Sequence, residues 1–326
     1  MSTDYFELIL PPQDGISSLN YIPQSTQLLV TSWDLTVRCY DTASNSQRWQ
    51  YNHDAAVLDG CAPDKTRVYS SDIDGIIKMY DIGSGVASDI GSHTKGVRSL
   101  AYDYETSVLF SGSWDSTLKG WDTRAKHAET ICHQLDAQVY TMSTNKSWLV
   151  VGTADKMITI FDTRNMSQPV QKRESSIKFQ TRCIRTFIDG TGYALASVEG
   201  RVGMEYFDPQ EQAAKKYAFK CHRANEGGVD VVYPVNVMTF HPIYGTFATG
   251  GCDGNVYYWD GQNRKRLFHL KHYPTSISAM SFSSDGTQLA VASSYTYEEG
   301  EKDHPNDQIF IHTVNDKIKP FEKAKE

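Results

Sequence analysis

The chain has 326 residues, 40% hydrophobic and 22% charged, with a formal net charge of -7. That composition is ordinary for a globular protein, and its acidity excludes a general nucleic-acid binder. Nowhere do 18 apolar residues run together, so no transmembrane helix is expected, and the opening MSTDYFELIL lacks the basic region and apolar run of a signal peptide. Six cysteines (39, 61, 132, 183, 221, 252) stand apart with no CxxC pair, which reads as free thiols in a reducing compartment, nuclear or cytoplasmic.

The first element in the chain is an orphan strand, YFELIL (5–10). Six frames of one pattern follow: SWDLTVRCYD (32–41), DIDGIIKMYD (72–81), SWDSTLKGWD (113–122), TADKMITIFD (153–162), EGRVGMEYFD (199–208) and GCDGNVYYWD (251–260). Their final aspartates are 40, 41, 40, 46 and 52 residues apart. A period near 40 with a terminal aromatic–Asp is the signature of WD repeats, the units of a β-propeller. Each unit divides into four short strands; the third gives GVRSLAYD, VLFSGS, STLKGWD and KHAETICH. A seventh unit lacks the ending but keeps SISAMSFSSDG (276–286), QLAVASS (288–294) and QIFIHTV (308–314). Its outer strand is missing, because the chain turns charged at NDKIKPFEKAKE (315–326). Pairing the orphan strand with this unit closes the ring and removes its exposed edges. The expected fold is all-β: a seven-bladed WD-repeat β-propeller closed by the N-terminal strand, one domain over 1–326 with a short charged tail.

His53, His93, His222 and His272 precede inner strands, with His133 a looser match. In WD repeats such a histidine reaches a loop aspartate and a strand Ser/Thr that also meets the strand-three Trp, so these residues are read as structural and no metal is expected. Tyr40, Tyr80, Trp121, Phe161, Phe207 and Trp259 are read as packing between blades. There is no GxGxxG, Walker loop, HExxH, GxSxG or paired-Cys spacing, so neither a cofactor nor a catalytic residue is expected.

Positions that break a repeat need a reason other than the fold. The second slot of the frame carries Trp33 and Trp114, candidate interface anchors on the top face or covers for a neighbouring loop. The third slot is Asp34, Asp74, Asp115, Asp155 and Asp253 in five frames and Arg201 in the other. Arg201 either pairs with Glu199 or joins a cationic site with Arg182, Lys220, His222 and Arg223; a period-two strand puts Lys220 and His222 on one face. Residues 171–223 hold ten Lys/Arg and six acids, +4, leaving -11 for the rest of the chain. That island fits one discrete carboxylate or phosphate. WDTR (121–124) and FDTR (161–164) resemble the box by which propeller receptors dock on cullin ubiquitin ligases, and YTYEEGEKDHPND (295–307) reads as a solvated acidic insertion.

RESSIKFQTRCIR, VEGRVGMEYFDP, KKYAFKCHR, YPVNVMTFHP, TFATGGCDG and ASSYTYE together resemble the Bub-type spindle-checkpoint propellers, over nearly the whole chain from PPQDGISSLNY onward. The nuclear-pore mRNA-export propellers share EGRV and FKCHR, but YPVNVMTFHP and the short N-terminal lead are closer to the checkpoint form. The resemblance implies a monomeric, non-enzymatic adaptor of nucleus, kinetochore and cytoplasm, binding neither nucleic acid nor membrane. Its top face would bind GLEBS motifs of checkpoint kinases or their pseudokinase relatives and a phosphothreonine motif of Met-Glu-Leu-Thr type on the kinetochore scaffold. Carried over, Trp33, Trp114 and Arg182 would contact the kinase segment, and Arg201, Lys220 and Arg223 the phosphate. The export sibling would instead bind a nucleoporin GLEBS motif.

Overall fold

A computed structural model describes residues 5–125 and 128–321. Alternating apolar residues and tight turns produce seven four-stranded antiparallel sheets, with inner strands Ile16–Tyr21, Val57–Cys61, Val97–Asp103, Val139–Asn145, Thr181–Thr186, Val235–Phe240 and Ile277–Phe282. These define blades one to seven. The third blade's outer strand is Ala128–Gln134; residues 126 and 127 of the expected strand lie outside the described residues. Buried side chains form seven clusters, one at each junction between neighbouring blades. The core is therefore a ring, and each blade depends on both neighbours.

The ring closes as expected. Tyr5–Glu7 pairs antiparallel with Gln308–Thr313, placing Tyr5 opposite His312 and Glu7 opposite Phe310. The strand is shorter than the expected 5–10, because Leu10 turns left-handed (φ 51°) ahead of Pro11. Leu8 still donates its N–H to Ile309 O at 2.9 Å, and only 1% of it is exposed. The C-terminal segment, expected as a charged tail, is folded as far as it is described. Ile318 is buried between blades six and seven, and Phe321 N donates to Asp260 Oδ2 at 2.9 Å; residues 322–326 lie outside the described residues.

Among the described residues, three blades carry the histidine network. His93 lies 3.3 Å from Asp115 and 2.7 Å from Ser111 Oγ, which also accepts from Trp121 Nε1. His222 does the same with Asp253 at 2.7 Å and Thr249 at 2.8 Å, Trp259 Nε1 donating to Thr249. In blade two His53 meets Asp72, at the end of the second strand, while Asp74 is exposed. Two expected members fail. His133 instead faces Met166 O. His272 is exposed; its neighbour Tyr273 takes the inner place and meets His312, which stands where other blades have Trp. Blade seven thus exchanges the two ring types and keeps the hydrogen bond.

Burial pushes His93 and His312 down to about 4. In the unfolded chain histidine titrates near ~6.5, so between that pH and 4 the unfolded state binds more protons and stability falls as pH falls. Above ~6.5 the contribution is complete, and by pH 4 each imidazole has withdrawn roughly 3 kcal/mol. The melting temperature should drop between pH 7 and 4.5, with a shallower slope in His312→Gln. Equal slopes in native and variant protein would remove His312 from this account.

Blade five corrects the expected register. Its second strand ends at Ser197 and its third is Arg201–Tyr206, so the three-residue loop is Val198–Glu199–Gly200. The third loop residue is left-handed in all six frames: Leu35, Gly75, Ser116, Lys156, Gly200 and Gly254. The acidic slot of blade five is therefore Glu199, and its sign is not reversed. Arg201 corresponds to Thr36 and Thr117 at the start of the third strand. The Phe207–Asp208 pair that mimics the repeat ending lies beyond the strand, where Asp208 caps the helix Pro209–Lys215 by accepting from Gln210 and Glu211 N–H at 2.9 Å. The aromatic slot holds Glu205, buried and bonded to Tyr193 OH at 2.9 Å. The insertion at 295–307 is also less solvated than expected. Tyr295 is buried, and Ser276 and Thr296 hydroxyls both donate to Glu298.

Candidate partner-binding face

Each blade is an antiparallel meander, so the loops from second to third strand emerge at the same end as the links between blades. That end is the top face. Arg201 opens the third strand of blade five directly opposite Lys220, the last residue of the outer strand Tyr217–Lys220. Side chains so placed share a face, and like charges there repel. Gly200 (φ +62°) makes the approach possible: a Cβ there would stand 2.6 Å from Cys221 O.

Arg201 Nε lies 3.1 Å from Glu199 Oε1, an ion pair, yet its orientation leaves Nε without a hydrogen bond. Arg223 Nη2 donates to Glu199 O at 2.8 Å, and Arg223 Nε is likewise buried and unpartnered. Lys220 is exposed with no ion pair among the described residues. Three cations against one carboxylate leave the rim of blade five at about +2. His222 does not join them. The strand ends at Lys220, and His222 (φ 48°) turns inward to Asp253 and Thr249.

Trp33 and Trp114 occupy the first loop position of blades one and three, each donating its backbone N–H to a glycine carbonyl, Gly15 or Gly96, at 2.9 Å. Each ring rests on that same glycine, where a Cβ would come within 3.4 Å of Trp33 and 2.9 Å of Trp114. Trp33 is 44% exposed. Trp114 is partly buried, and its Nε1 has no partner. Arg182, exposed on the inner strand of blade five, donates from Nη2 to Asn236 Oδ1 at 2.9 Å. Arg201, Lys220 and Arg223 are brought together; Trp33, Trp114 and Arg182 share their face on alternate blades.

A hairpin that sequence reading passed over rises beside this rim, Arg223–Glu226 paired with Val229–Val232. Its signal was the Gly227–Gly228 turn between two short runs. At the opposite end of the ring, Arg124 and Arg164 fold back in two-pronged ion pairs on Asp122 and Asp162. Among the described residues no three His, Cys, Asp or Glu stand in a metal-binding group.

Seven blades built on these repeats define a WD-repeat β-propeller. The profile of the WD domain, G-beta repeat family matches residues 7–41, 86–122 and 217–260. A solved chain titled "Structure of U3-55K" superimposes with a TM-score of 0.83 over 96% of this chain and 99% of that one, at 17% identity, and shares the fold. Within that class, the Mitotic checkpoint protein bub3 of Dictyostelium discoideum is 62% identical over 96% of both chains. Mitotic checkpoint protein BUB3.1 of Arabidopsis thaliana is 52% identical over 98% of this chain and 95% of its own. The mRNA export factor GLE2 of Chaetomium thermophilum is 36% identical over 98% and 93%. The chain belongs to the Bub3 family of mitotic checkpoint proteins.

Proposed function

We propose that this chain is a spindle-checkpoint adaptor that recruits GLEBS-bearing checkpoint kinases to a kinetochore scaffold phosphorylated on threonine. The observation that carries the reading is the Arg201–Lys220 pair, two cations in direct register with Arg223 beside them and a single carboxylate among them. Two cations placed opposite one another raise the energy of the free protein, and a phosphate of about -1.5 to -2 charge relieves that repulsion. The adaptor works in the nucleus, at kinetochores and in the cytoplasm as a monomer without cofactor. The test is reconstitution: kinase segment, adaptor and phosphorylated scaffold peptide should form one complex, and omission of the phosphate should release the scaffold peptide alone. Failure of the adaptor to bridge the two would end the reading.

The export reading rests on the 36% identity with GLE2. It requires a nucleoporin GLEBS segment to bind in preference to a kinase one, which a competition titration of the two segments decides.

The kinase segment crosses the tryptophans in this scheme. Trp33→Ala or Trp114→Ala should cost about 2 kcal/mol or more of its binding. Trp33→Ala should leave the melt nearly unchanged, since its ring is half in solvent. Normal binding by both variants would return the two rings to a packing role.

A further inference from the structure

All seven inner strands carry the same irregularity: the pairing with the second strand skips one residue at its first step, as at Val97/Ser99 and Thr181/Cys183. A bulge leaves its extra residue out of the ladder and re-aims that side chain. Six of the seven extra residues (Ser17, Arg98, Tyr140, Arg182, Asn236 and Ser278) line the central channel, a cavity of about 250 Å³. Consecutive blades three, four and five therefore set Arg98, Tyr140 and Arg182 side by side on its wall. Arg185, further along the strand of Arg182, lines the same cavity, as does Asp59 from blade two.

Three guanidiniums and one carboxylate thus share a narrow space, about +2 in sum. No ion pair within 4.0 Å joins them among the described residues. Asp59 is occupied by backbone, accepting from Leu100 N at 2.9 Å and Gly60 N at 2.8 Å. Arg98 reaches only Leu58 O, at 3.5 Å, and Arg185 Nη1 donates to Ile184 O at 2.8 Å. Arg182 Nη2 donates to Asn236 Oδ1 at 2.9 Å, and with five donors on each guanidinium most of the set is left over. Burial pushes Arg98 below the usual guanidinium range; Asp59 opposes that, and Arg182 and Arg185 add to it. Like charges held this way are costly until an anion joins them.

We propose that the central channel binds a free oxyanion of the phosphate class, held by Arg98, Arg182 and Arg185 with the Tyr140 hydroxyl as a further donor, at a site separate from the blade-five rim. The planar guanidinium fork matches two oxygens of such an anion, and the net charge matches a dianion. The cavity is wide enough for one such group and, walled by strands from every blade, is a poor path for a peptide backbone.

Inorganic phosphate is the probe, titrated into the full chain against chloride at matched ionic strength, with melting temperature and ³¹P line width as readouts. Saturation should raise the melting temperature by about 2 °C or more, in the native protein and equally in Arg201→Ala. Arg98→Gln and Arg185→Gln should each weaken the response about tenfold or more, and Asp59→Asn should strengthen it severalfold. Should Arg98→Gln fail to fold, Arg185→Gln decides. A response that vanishes in Arg201→Ala belongs to the blade-five rim and overturns the proposal. So does a response unchanged in Arg185→Gln, or no response in the native protein.

Discussion

Arg201→Ala should weaken a phosphorylated Met-Glu-Leu-Thr-type peptide by one to two orders of magnitude while leaving the unphosphorylated peptide nearly where it was. A hydrogen bond to a charged group is worth about 1.5–3 kcal/mol, and each 1.4 kcal/mol is about tenfold in affinity. Lys220→Ala should act in the same direction, because the two residues face each other across one strand pair. Glu199 supplies a control of opposite sign. It draws on both arginines, through its carboxylate to Arg201 and its carbonyl to Arg223, so Glu199→Gln should free Arg201 and tighten the phosphopeptide. A purely structural Arg201–Glu199 pair makes different demands. Either substitution would then lower the melting temperature, and discrimination between the two peptides would stay intact. Isothermal titration of both peptides into the three variants separates the cases, and undiminished discrimination in Arg201→Ala would remove the phosphate site.

Deleting residues 5–10 should abolish cooperative melting and drive the protein into aggregates. The deletion uncovers the outer edge of Gln308–Thr313, which Tyr5–Glu7 covers from Phe310 to His312 while Gln288–Ser293 holds the inner edge, and an open edge of that kind recruits other chains. It also removes Leu8 from the cluster that joins blade seven to blade one. Leu8→Ala is the graded form of the same experiment, expected to cost about 2–5 kcal/mol with the strand pairing retained. A soluble deletion variant with an unchanged melt would show that the ring holds without its clasp.

The blade count, the closing strand and the face that carries the odd residues were all legible, because a 40-residue period and alternating apolar positions leave few other folds. Register was not legible throughout. Counting back from Phe207–Asp208 put Arg201 in an acidic slot, since a helix-capping aspartate and a repeat-ending aspartate look alike in sequence. The left-handed third loop residue fixes the true frame, but it is Leu35 or Lys156 as readily as glycine and so gives no reliable signal. The juxtaposition of Arg201 and Lys220 was nonetheless legible, because an arginine and a lysine near one blade's end are visible whichever slot they fill. Arg98 was missed for a different reason. Period two assigns alternate residues to alternate faces, and a bulge, which no residue type here announces, turns an arginine otherwise read as a ladder residue into the channel wall. Asp72 for Asp74, and Tyr273 for His272, were the same failure on the scale of one or two residues.

The pairing of Tyr5 with His312 also sets an order in time. Residues 5–7 leave the ribosome some three hundred residues ahead of the strand they pair with. At about 5–20 residues per second, the first strand waits many seconds with nothing to pair with while six blades assemble behind it. Each of those blades can settle on the one before, but the ring gains its seventh junction only once Gln308–Thr313 has been made. A chain interrupted just before Gln308 would therefore carry nearly all of its blades and still have two open edges. Quality control has a sharp criterion to read in such a chain: whether its two ends have met.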